Sequence, residues 1–263
     1  MYEQPIKKEG GFERPFKMSY EKVEDEESLL KYEQAAEGTA KIMKEISALS
    51  VPKSSVESWK KLMSLLYRVD DYIDHMANTE ERQRFLAEAK SFLRSEDFSS
   101  EKNGDVLKIE SELDKLTKNL TQAEKDFFLR SLNLLLRITE EIKIEKDPKR
   151  VVKLTLLEGQ ISSRLFLPFL TEDFRESNEY HKLVRSFALV GRMANSFDTM
   201  VDLSEDHKNN QLSIEPTYMN RVLFFGSVVT AGASFVREAG VSKKLIQGFF
   251  KGTKKVIGDT EKI

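Results

Sequence analysis

The chain is organised around the stretch Asn195-Ser-Phe-Asp-Thr-Met-Val-Asp-Leu-Ser-Glu-Asp-His207, in which an aspartate recurs at every fourth position. On an α-helix, these offsets stack the carboxylates of Asp198, Asp202 and Asp206 in one row. Because like charges four residues apart repel each other, such a row inside an apolar segment indicates that a cation is placed against it. Divalent cations that prefer oxygen ligands are the simplest candidates.

A second acidic cluster, Asp70-Asp-Tyr-Ile-Asp74, follows an apolar run and has the same helical spacing. Asp74 shares a helix face with both Asp70 and Asp71. For one cluster alone a solvated helix face is an equally good interpretation, but the pair is more informative than either member. Carboxylates on two helices around a cavity suit Mg²⁺, which takes one or two carboxylates per ion and completes its shell with water and substrate phosphates.

The bulk composition bounds the class of protein. A chain of 263 residues that is 40% hydrophobic and 33% charged has the balance of a soluble helical protein. The net charge of −2 provides no field that would recruit nucleic acid, so no nucleic-acid partner is expected. The absence of cysteine excludes disulfides, thiolate metal sites and a cysteine nucleophile, and it fits a reducing cytoplasm, the location that we predict.

Hydrophobic periodicity predicts helices throughout the chain and no strand. We expect a flexible N-terminal arm at residues 1–17, which shows no secretory signal, and one all-helical domain at 18–263. Thr121 and Glu124 form a capping-box pattern, Ser54 or Ser55 is placed to cap an earlier helix, and Pro148 suits a first helical turn. The predicted helices cover residues 20–49, 55–78, 79–98, 105–118, 122–145, 148–166, 178–206, 216–239 and 242–257.

Alternatives stay open for two segments of the chain, the Gly159 helix and residues 242–257. Gly159 lies in the middle of an apolar helix, where it costs about 1 kcal/mol relative to alanine, so it indicates either close helix packing or a functional kink. The apolar window 222–236 is too short to span a membrane. The amphipathic segment 242–257 carries five lysines, so peripheral membrane contact stays open, as does homodimerisation.

Several metal and nucleotide sites are excluded by the sequence. A ferritin-like site needs Glu-x-x-His, but the residues three positions before His75, His181 and His207 are tyrosine, asparagine and serine. The motifs of zinc proteases and of nucleotide-binding P-loops are absent, as is the nucleophile elbow of serine hydrolases.

The two acidic motifs resemble those of the class I isoprenoid synthases. The second motif, Asp198-x-x-x-Asp202-x-x-Glu205-Asp206, is similar to that of the squalene and phytoene synthase branch, and closer still to that of the bacterial large-terpene synthases of class IB. Arg68-Val-Asp70 resembles the start of the first motif in phytoene synthases. The Gly159 helix, which lies between the motifs in sequence, is similar to the kinked helix of the family.

The resemblance implies a helical bundle around a central cavity and a Mg²⁺-dependent enzyme that acts on a prenyl diphosphate. The metal ligands implied by it are Asp70, Asp71, Asp74, Asp198, Asp202 and Asp206. This chain departs from squalene and phytoene synthases at Asp198, where they carry asparagine, and at Val201, where they carry arginine. The departures favour cyclisation over head-to-head coupling of two prenyl diphosphates, which remains the alternative within the class.

Three cations near the motifs are candidates for diphosphate binding. Arg192 lies six residues before Asp198, Arg164 lies five residues after Gly159, and Lys208 follows the second motif in a polar segment. For each there is a simpler interpretation, a surface ion pair for the arginines and a solvated loop residue for the lysine. A non-catalytic helical protein that binds an isoprenoid in its cavity is the alternative from another class.

Overall fold

The computed structural model describes residues 26–47, 50–74, 79–94 and 104–239. These residues form helices and connecting turns with no strand, which confirms the all-α prediction for this part of the chain. The predicted arm at 1–17 and the last predicted helix at 242–257 lie outside the described residues. The helices are α1 (Glu26–Ser47), α2 (Lys53–Asp74), α3 (Thr79–Leu93), α4 (Gly104–Thr117), α5 (Gln122–Ile144), α6 (Pro148–Arg164), α7 (Glu172–Arg175), α8 (Tyr180–Lys208) and α9 (Tyr218–Ala239), with a 3₁₀ turn at Leu167–Phe169.

Local capping chemistry explains where several helices begin. The Thr121 side chain accepts a hydrogen bond from the Glu124 amide, and the Glu124 carboxylate accepts one from the Thr121 amide, so the predicted capping box of α5 is confirmed. Pro148 occupies the first turn of α6, also as predicted. The predicted cap of α2 is wrong, because the helix begins at Lys53 and already includes both candidate serines.

The C-terminal end of α8 differs from the predicted boundary. The helix continues through Lys208, two residues beyond the predicted end, and Asn210 then adopts a positive φ of 57°. The Gln211 amide donates to the Asp206 carbonyl at 2.8 Å, and the Asn210 amide donates to the His207 carbonyl at 3.2 Å. This pattern is a Schellman cap, in which asparagine takes the left-handed position usually held by glycine. Lys208 therefore lies in the last helical turn rather than in a loop.

An aromatic cluster joins α2 to the middle of the fold. Trp59 is fully buried, and its indole N–H donates to the Phe166 carbonyl oxygen at 2.9 Å. The rings of Trp59 and Phe166 meet edge to face with centroids 5.4 Å apart, and Phe166 contacts Phe187 of α8 in the same way at 6.1 Å. The hydrogen bond matters because a buried indole N–H without a partner would be costly.

The two helices that pack most extensively against α8 are α6 and α9. α1 contacts both α2 and α8, and α4 packs against α2. The window 222–236, predicted from the sequence to be too short to span a membrane, lies within the longer helix α9, and the whole helix is long and apolar enough to cross a membrane by length and composition. Core helices of soluble proteins pass the same test. Only a third of the most apolar window of α9 is buried within the structure.

Candidate functional site

The candidate site is built on the contact between α6 and α8. A Cβ atom added to Gly159 would lie 2.7 Å from the Asn195 Cβ and closer still to the Gly191 carbonyl oxygen. A Cβ added to Gly191 would collide in the same way with Gly159 and Ser163. Of the two interpretations of Gly159, close helix packing is therefore the one observed, and α6 runs as an α-helix through this residue.

A hydrogen-bond network fixes the register of the two helices. The Asn195 amide nitrogen donates to the Thr155 carbonyl oxygen and to a Glu158 carboxylate oxygen, both at 2.9 Å. The other Glu158 oxygen accepts from the Thr139 hydroxyl of α5 at 2.6 Å. Going forward along α8 from Gly191 to Asn195 thus means going backward along α6, so the helices are antiparallel.

The aspartates of the second motif continue the face of α8 that packs on α6. Gly191, Asn195, Asp198 and Asp202 follow one another at spacings of four, three and four residues, which places them on one helical stripe. Asp198 and Asp202 are both exposed residues, although the carboxyl group of Asp198 is itself largely surrounded by protein atoms. The stripe therefore changes along its length from a tight helix contact to a row of carboxylates.

The protein surroundings make ionisation of this row unfavourable. Desolvation is the main cause that raises the pKa of Asp198 above its ordinary value, and the carboxylates of Asp202 and Glu158 raise it further. Desolvation also raises the pKa of Asp202, with the Glu205 carboxylate as the second cause. Negative charge thus extends along the row from Glu158 and Asp198 through Asp202 to Glu205, and a cation bound beside it would relieve the repulsion between neighbours.

The end of the row is anchored by the cap of α8. Asp206 is half-buried, and its carbonyl oxygen accepts hydrogen bonds from the amides of Gln211 and Leu212. Lys208 is exposed in the last helical turn, two residues beyond Asp206. The third aspartate of the motif and the candidate lysine are therefore held on a fixed helix end.

The first acidic motif lies at the C-terminal end of α2. Asp70 is exposed, whereas the side chains of Asp71 and Asp74 lie outside what the structure describes. Between them Tyr72 is buried, and its hydroxyl donates to the Asp105 carboxylate of α4 at 2.8 Å. Burial, and then this hydrogen bond, raise the pKa of Tyr72 well above its ordinary value.

Arg68, which precedes the first motif, has a structural role in this conformation. Its two terminal nitrogens donate to the two carboxylate oxygens of Glu112 on α4, at 3.2 and 2.6 Å. A paired fork of this kind fixes both side chains. Together with the hydrogen bond from Tyr72, it holds the end of α2 against α4.

The structure describes the two motifs on separate helices. α2 does not pack extensively against α8, and α1 contacts both of them. Among the described residues, no group of three or more histidines, aspartates or glutamates is placed to hold a metal ion. That all six aspartates bind one cluster of Mg²⁺ ions stays a prediction, as does the central cavity between the motifs.

The two candidate arginines lie at different distances from the aspartate row. The Arg192 Nε donates to the Gln160 side-chain oxygen at 2.8 Å, and a second guanidinium nitrogen contacts the same oxygen. Arg164 lies on the other side of the glycine contact, about 18 Å from Asp198 along the antiparallel helix axes. The structure therefore does not bring Arg164 to this row, although the Arg164 Nε is buried without a hydrogen-bond partner among the described residues.

Sequence reasoning missed four residues of this site: Glu158, Gly191, Asn195 and Arg221. Arg221 of α9 donates to the Met200 carbonyl oxygen at 2.6 Å and to the Ser204 hydroxyl at 2.8 Å, which ties α9 to the other side of the motif helix. The spacing of the sequence could have predicted that Gly191 and Asn195 share a helix face with Asp198, because they precede it by seven and three residues. Nothing in the sequence indicated that Glu158 of another helix would lie beside Asp198.

Comparison with known proteins identifies no relative: no family model, no curated protein and no solved structure matches the chain.

The raised pKa of Asp198 predicts that Asp198→Asn stabilises the metal-free protein. In the native state the carboxylate is harder to ionise than in the unfolded chain, so ionisation costs stability as the pH rises above about 4. Because the group is exposed and screened, we expect a gain of only about 0.5 kcal/mol at pH 7. Urea unfolding in EDTA measures it, and the gain should vanish near pH 3, where the carboxyl is protonated in both states. Asp173→Asn, at an exposed position in the first turn of α7, is the control, and it should give no gain in stability because a carboxylate is favourable at a helix N-terminus. A loss of stability for Asp198→Asn at pH 7 would contradict the electrostatic description of the row.

Proposed function

We propose that this protein is a Mg²⁺-dependent class I terpene or prenyl synthase that ionises a prenyl diphosphate at its aspartate-rich motifs and cyclises the chain. The observation that carries the proposal is the stripe on α8, where Asp198 and Asp202 are exposed and Glu158 of α6 lies beside Asp198. On a helix face that is only solvent-exposed, neighbouring carboxylates would repel each other without any compensating interaction. The resemblance of the motifs to those of class I synthases supports the same conclusion.

The residues present fit Mg²⁺ by their chemistry. Carboxylate oxygens are its preferred protein ligands, and it needs only one or two of them per ion because it retains water and binds substrate phosphates. A preformed cluster of three protein ligands is therefore not required for binding. On this proposal Asp198, Asp202 and Asp206 hold the ions from α8, and Asp70, Asp71 and Asp74 hold them from α2.

The metal, when bound, supplies charge neutralisation for the diphosphate leaving group. The chain's own residues orient the substrate. Arg192 lies about 9 Å before Asp198 along α8, so it is nearer to the aspartate row than Arg164 is. To contact the diphosphate, its guanidinium would have to release the side chain of Gln160. Lys208, exposed beyond Asp206, is placed to contact the same group. Aromatic faces lining an apolar cavity would stabilise a cation formed on the hydrocarbon chain.

The experiment that tests this function is the release of inorganic diphosphate from geranyl, farnesyl, geranylgeranyl and longer prenyl diphosphates. Each substrate is incubated with Mg²⁺ or with EDTA, and the organic extract is examined by mass spectrometry. We expect release that requires the metal, with a product mass that corresponds to loss of diphosphate and a proton from one substrate. A product that joins two substrates would instead establish head-to-head coupling. No release from any substrate by the folded protein would favour the non-catalytic isoprenoid-binding protein.

A further inference from the structure

An exposed row of side chains runs along the outer side of α5. Its members alternate between apolar and cationic side chains, and spacings of three, four, three and seven residues place them on one side of the helix: Phe127, Arg130, Leu134, Arg137 and Ile144. All five are exposed, and Ile144, at the C-terminal end of α5, is 74% exposed. The row extends over about 25 Å of the surface.

The exposed side of α6 continues this surface. α6 packs against α5, and Arg150 of α6 forms ion pairs with Glu141 of α5 and with Glu145 just after it. The exposed sides of the two helices therefore meet at Arg150. Further exposed residues of α6 follow at spacings of four residues: Lys149, Lys153 and Leu157. We call the exposed residues of these two helices the α5–α6 face.

The α5–α6 face is basic, although the whole chain is slightly acidic. Residues 127–157 contain seven basic and four acidic residues, whereas the net charge of the chain is −2. Each of the four acidic residues already has a partner, which is a lysine, an arginine or the first amide groups of α6. Among the described residues, no carboxylate pairs with five of the cations: Arg130, Arg137, Lys146, Lys149 and Lys153.

We propose that the α5–α6 face binds the surface of a membrane that contains anionic lipids. The unpaired cations contact lipid phosphates, because a negatively charged leaflet attracts lysine and arginine side chains near its surface. The apolar side chains between them enter the boundary between headgroups and acyl chains, as on helices that lie in the plane of a membrane. This proposal is independent of the proposed enzymatic function.

A lipid surface fits this face better than a protein partner does. The core of a protein interface is an apolar patch that is depleted of charge. On the α5–α6 face, by contrast, the exposed apolar residues Phe127 and Leu134 are separated by Arg130, and Arg137 follows Leu134 within one turn. Arginine and lysine can extend their charged ends to the headgroups while neighbouring apolar side chains lie deeper, so this alternation suits an interface between water and lipid.

Co-sedimentation of the full chain with vesicles tests the proposal. We expect binding to vesicles of phosphatidylglycerol and phosphatidylcholine in equal amounts that weakens as salt is added, and binding to phosphatidylcholine alone that is weaker by about tenfold or more. Arg130→Gln/Arg137→Gln should weaken binding to the anionic vesicles by about tenfold. The matched control is Lys41→Gln/Lys44→Gln, which makes the same change in net charge at exposed positions on α1 and should bind as the wild type does.

A fluorescent label tests the apolar contact separately. Because the chain has no cysteine, Ile144→Cys can be labelled at one position with an environment-sensitive fluorophore. We expect anionic vesicles to shift the emission of this label to shorter wavelength. The same label at Leu107→Cys, an exposed apolar position on α4, should show no shift.

Each part of the experiment has a result that would overturn the proposal. Equal losses of binding in the arginine and lysine variants would mean that only the overall charge attracts the chain to vesicles. Equal shifts of the two labels would mean that the α5–α6 face is not the contact. An absence of binding to anionic vesicles would overturn the proposal outright, and a shift of the label at position 144 with polyglutamate would then indicate an acidic protein partner.

Discussion

Asp198→Asn/Asp202→Asn is expected to lower Mg²⁺-dependent release of diphosphate by about a thousandfold or more. The two changes remove the charges that hold the metal beside the leaving group, a contribution worth several kcal/mol of barrier. Both residues are exposed on the α8 stripe, so their replacement leaves no cavity. The rate of diphosphate release at saturating substrate is the measurement.

Measuring the stability of the double variant shows whether a lower rate of diphosphate release comes from a lost catalytic interaction or from unfolding. Since ionisation of Asp198 and Asp202 is unfavourable in the metal-free protein, the double variant should unfold at the same or a higher urea concentration in EDTA. Asp173→Asn on α7 should retain full activity. If the double variant is folded and still releases diphosphate at the wild-type rate, the second motif has no part in the reaction.

Gly159→Ala is expected to destabilise the protein by about 2 to 3 kcal/mol. The new methyl group would overlap the Gly191 backbone of the neighbouring helix, which cannot move aside as a flexible side chain could. Overpacking at such a site outweighs the gain of about 1 kcal/mol in helix propensity. Urea unfolding measures the change, and loss of the Asn195–Glu158 hydrogen bond should accompany it.

Gly38→Ala is the matched control for this prediction. Gly38 also lies within a helix, but nothing described is within 4 Å of its added Cβ. There the gain in propensity is unopposed, so the variant should be more stable by up to about 1 kcal/mol. If both alanine variants were stabilised, the close contact between α6 and α8 would be wrong.

The parts of the fold that depend on neighbouring residues in sequence were predictable. The capping box at Thr121 and Glu124 and the first-turn position of Pro148 need only a few adjacent residues, and both are confirmed. The cap predicted at Ser54 failed because the helix begins earlier, where the Val56 amide already donates to the Pro52 carbonyl oxygen. The observed end of α8 lies two residues beyond the predicted one. Asn210 adopts the left-handed conformation that closes the cap there, although asparagine is less common than glycine at this position.

The parts that depend on another helix were not predictable. The sequence showed that a glycine at position 159 costs helix propensity, but the compensating close contact is with Gly191, which is 32 residues away on another helix. Likewise the charge row on α8 could be derived from spacing alone, whereas Glu158 joins it only because α6 packs antiparallel to α8. Spacing defines a face of one helix, and the choice of its neighbour requires the tertiary structure.

The central claim is that the aspartate row holds Mg²⁺ together with a diphosphate. Calorimetric titration of inorganic diphosphate into the protein tests it without turnover, in Mg²⁺ and in EDTA, for the wild type and for Asp198→Asn/Asp202→Asn. The account predicts saturable binding by the wild type that requires Mg²⁺ and that the double variant loses while remaining folded. Binding of equal strength in the wild type and the double variant, or no binding by the wild type in Mg²⁺, would contradict it.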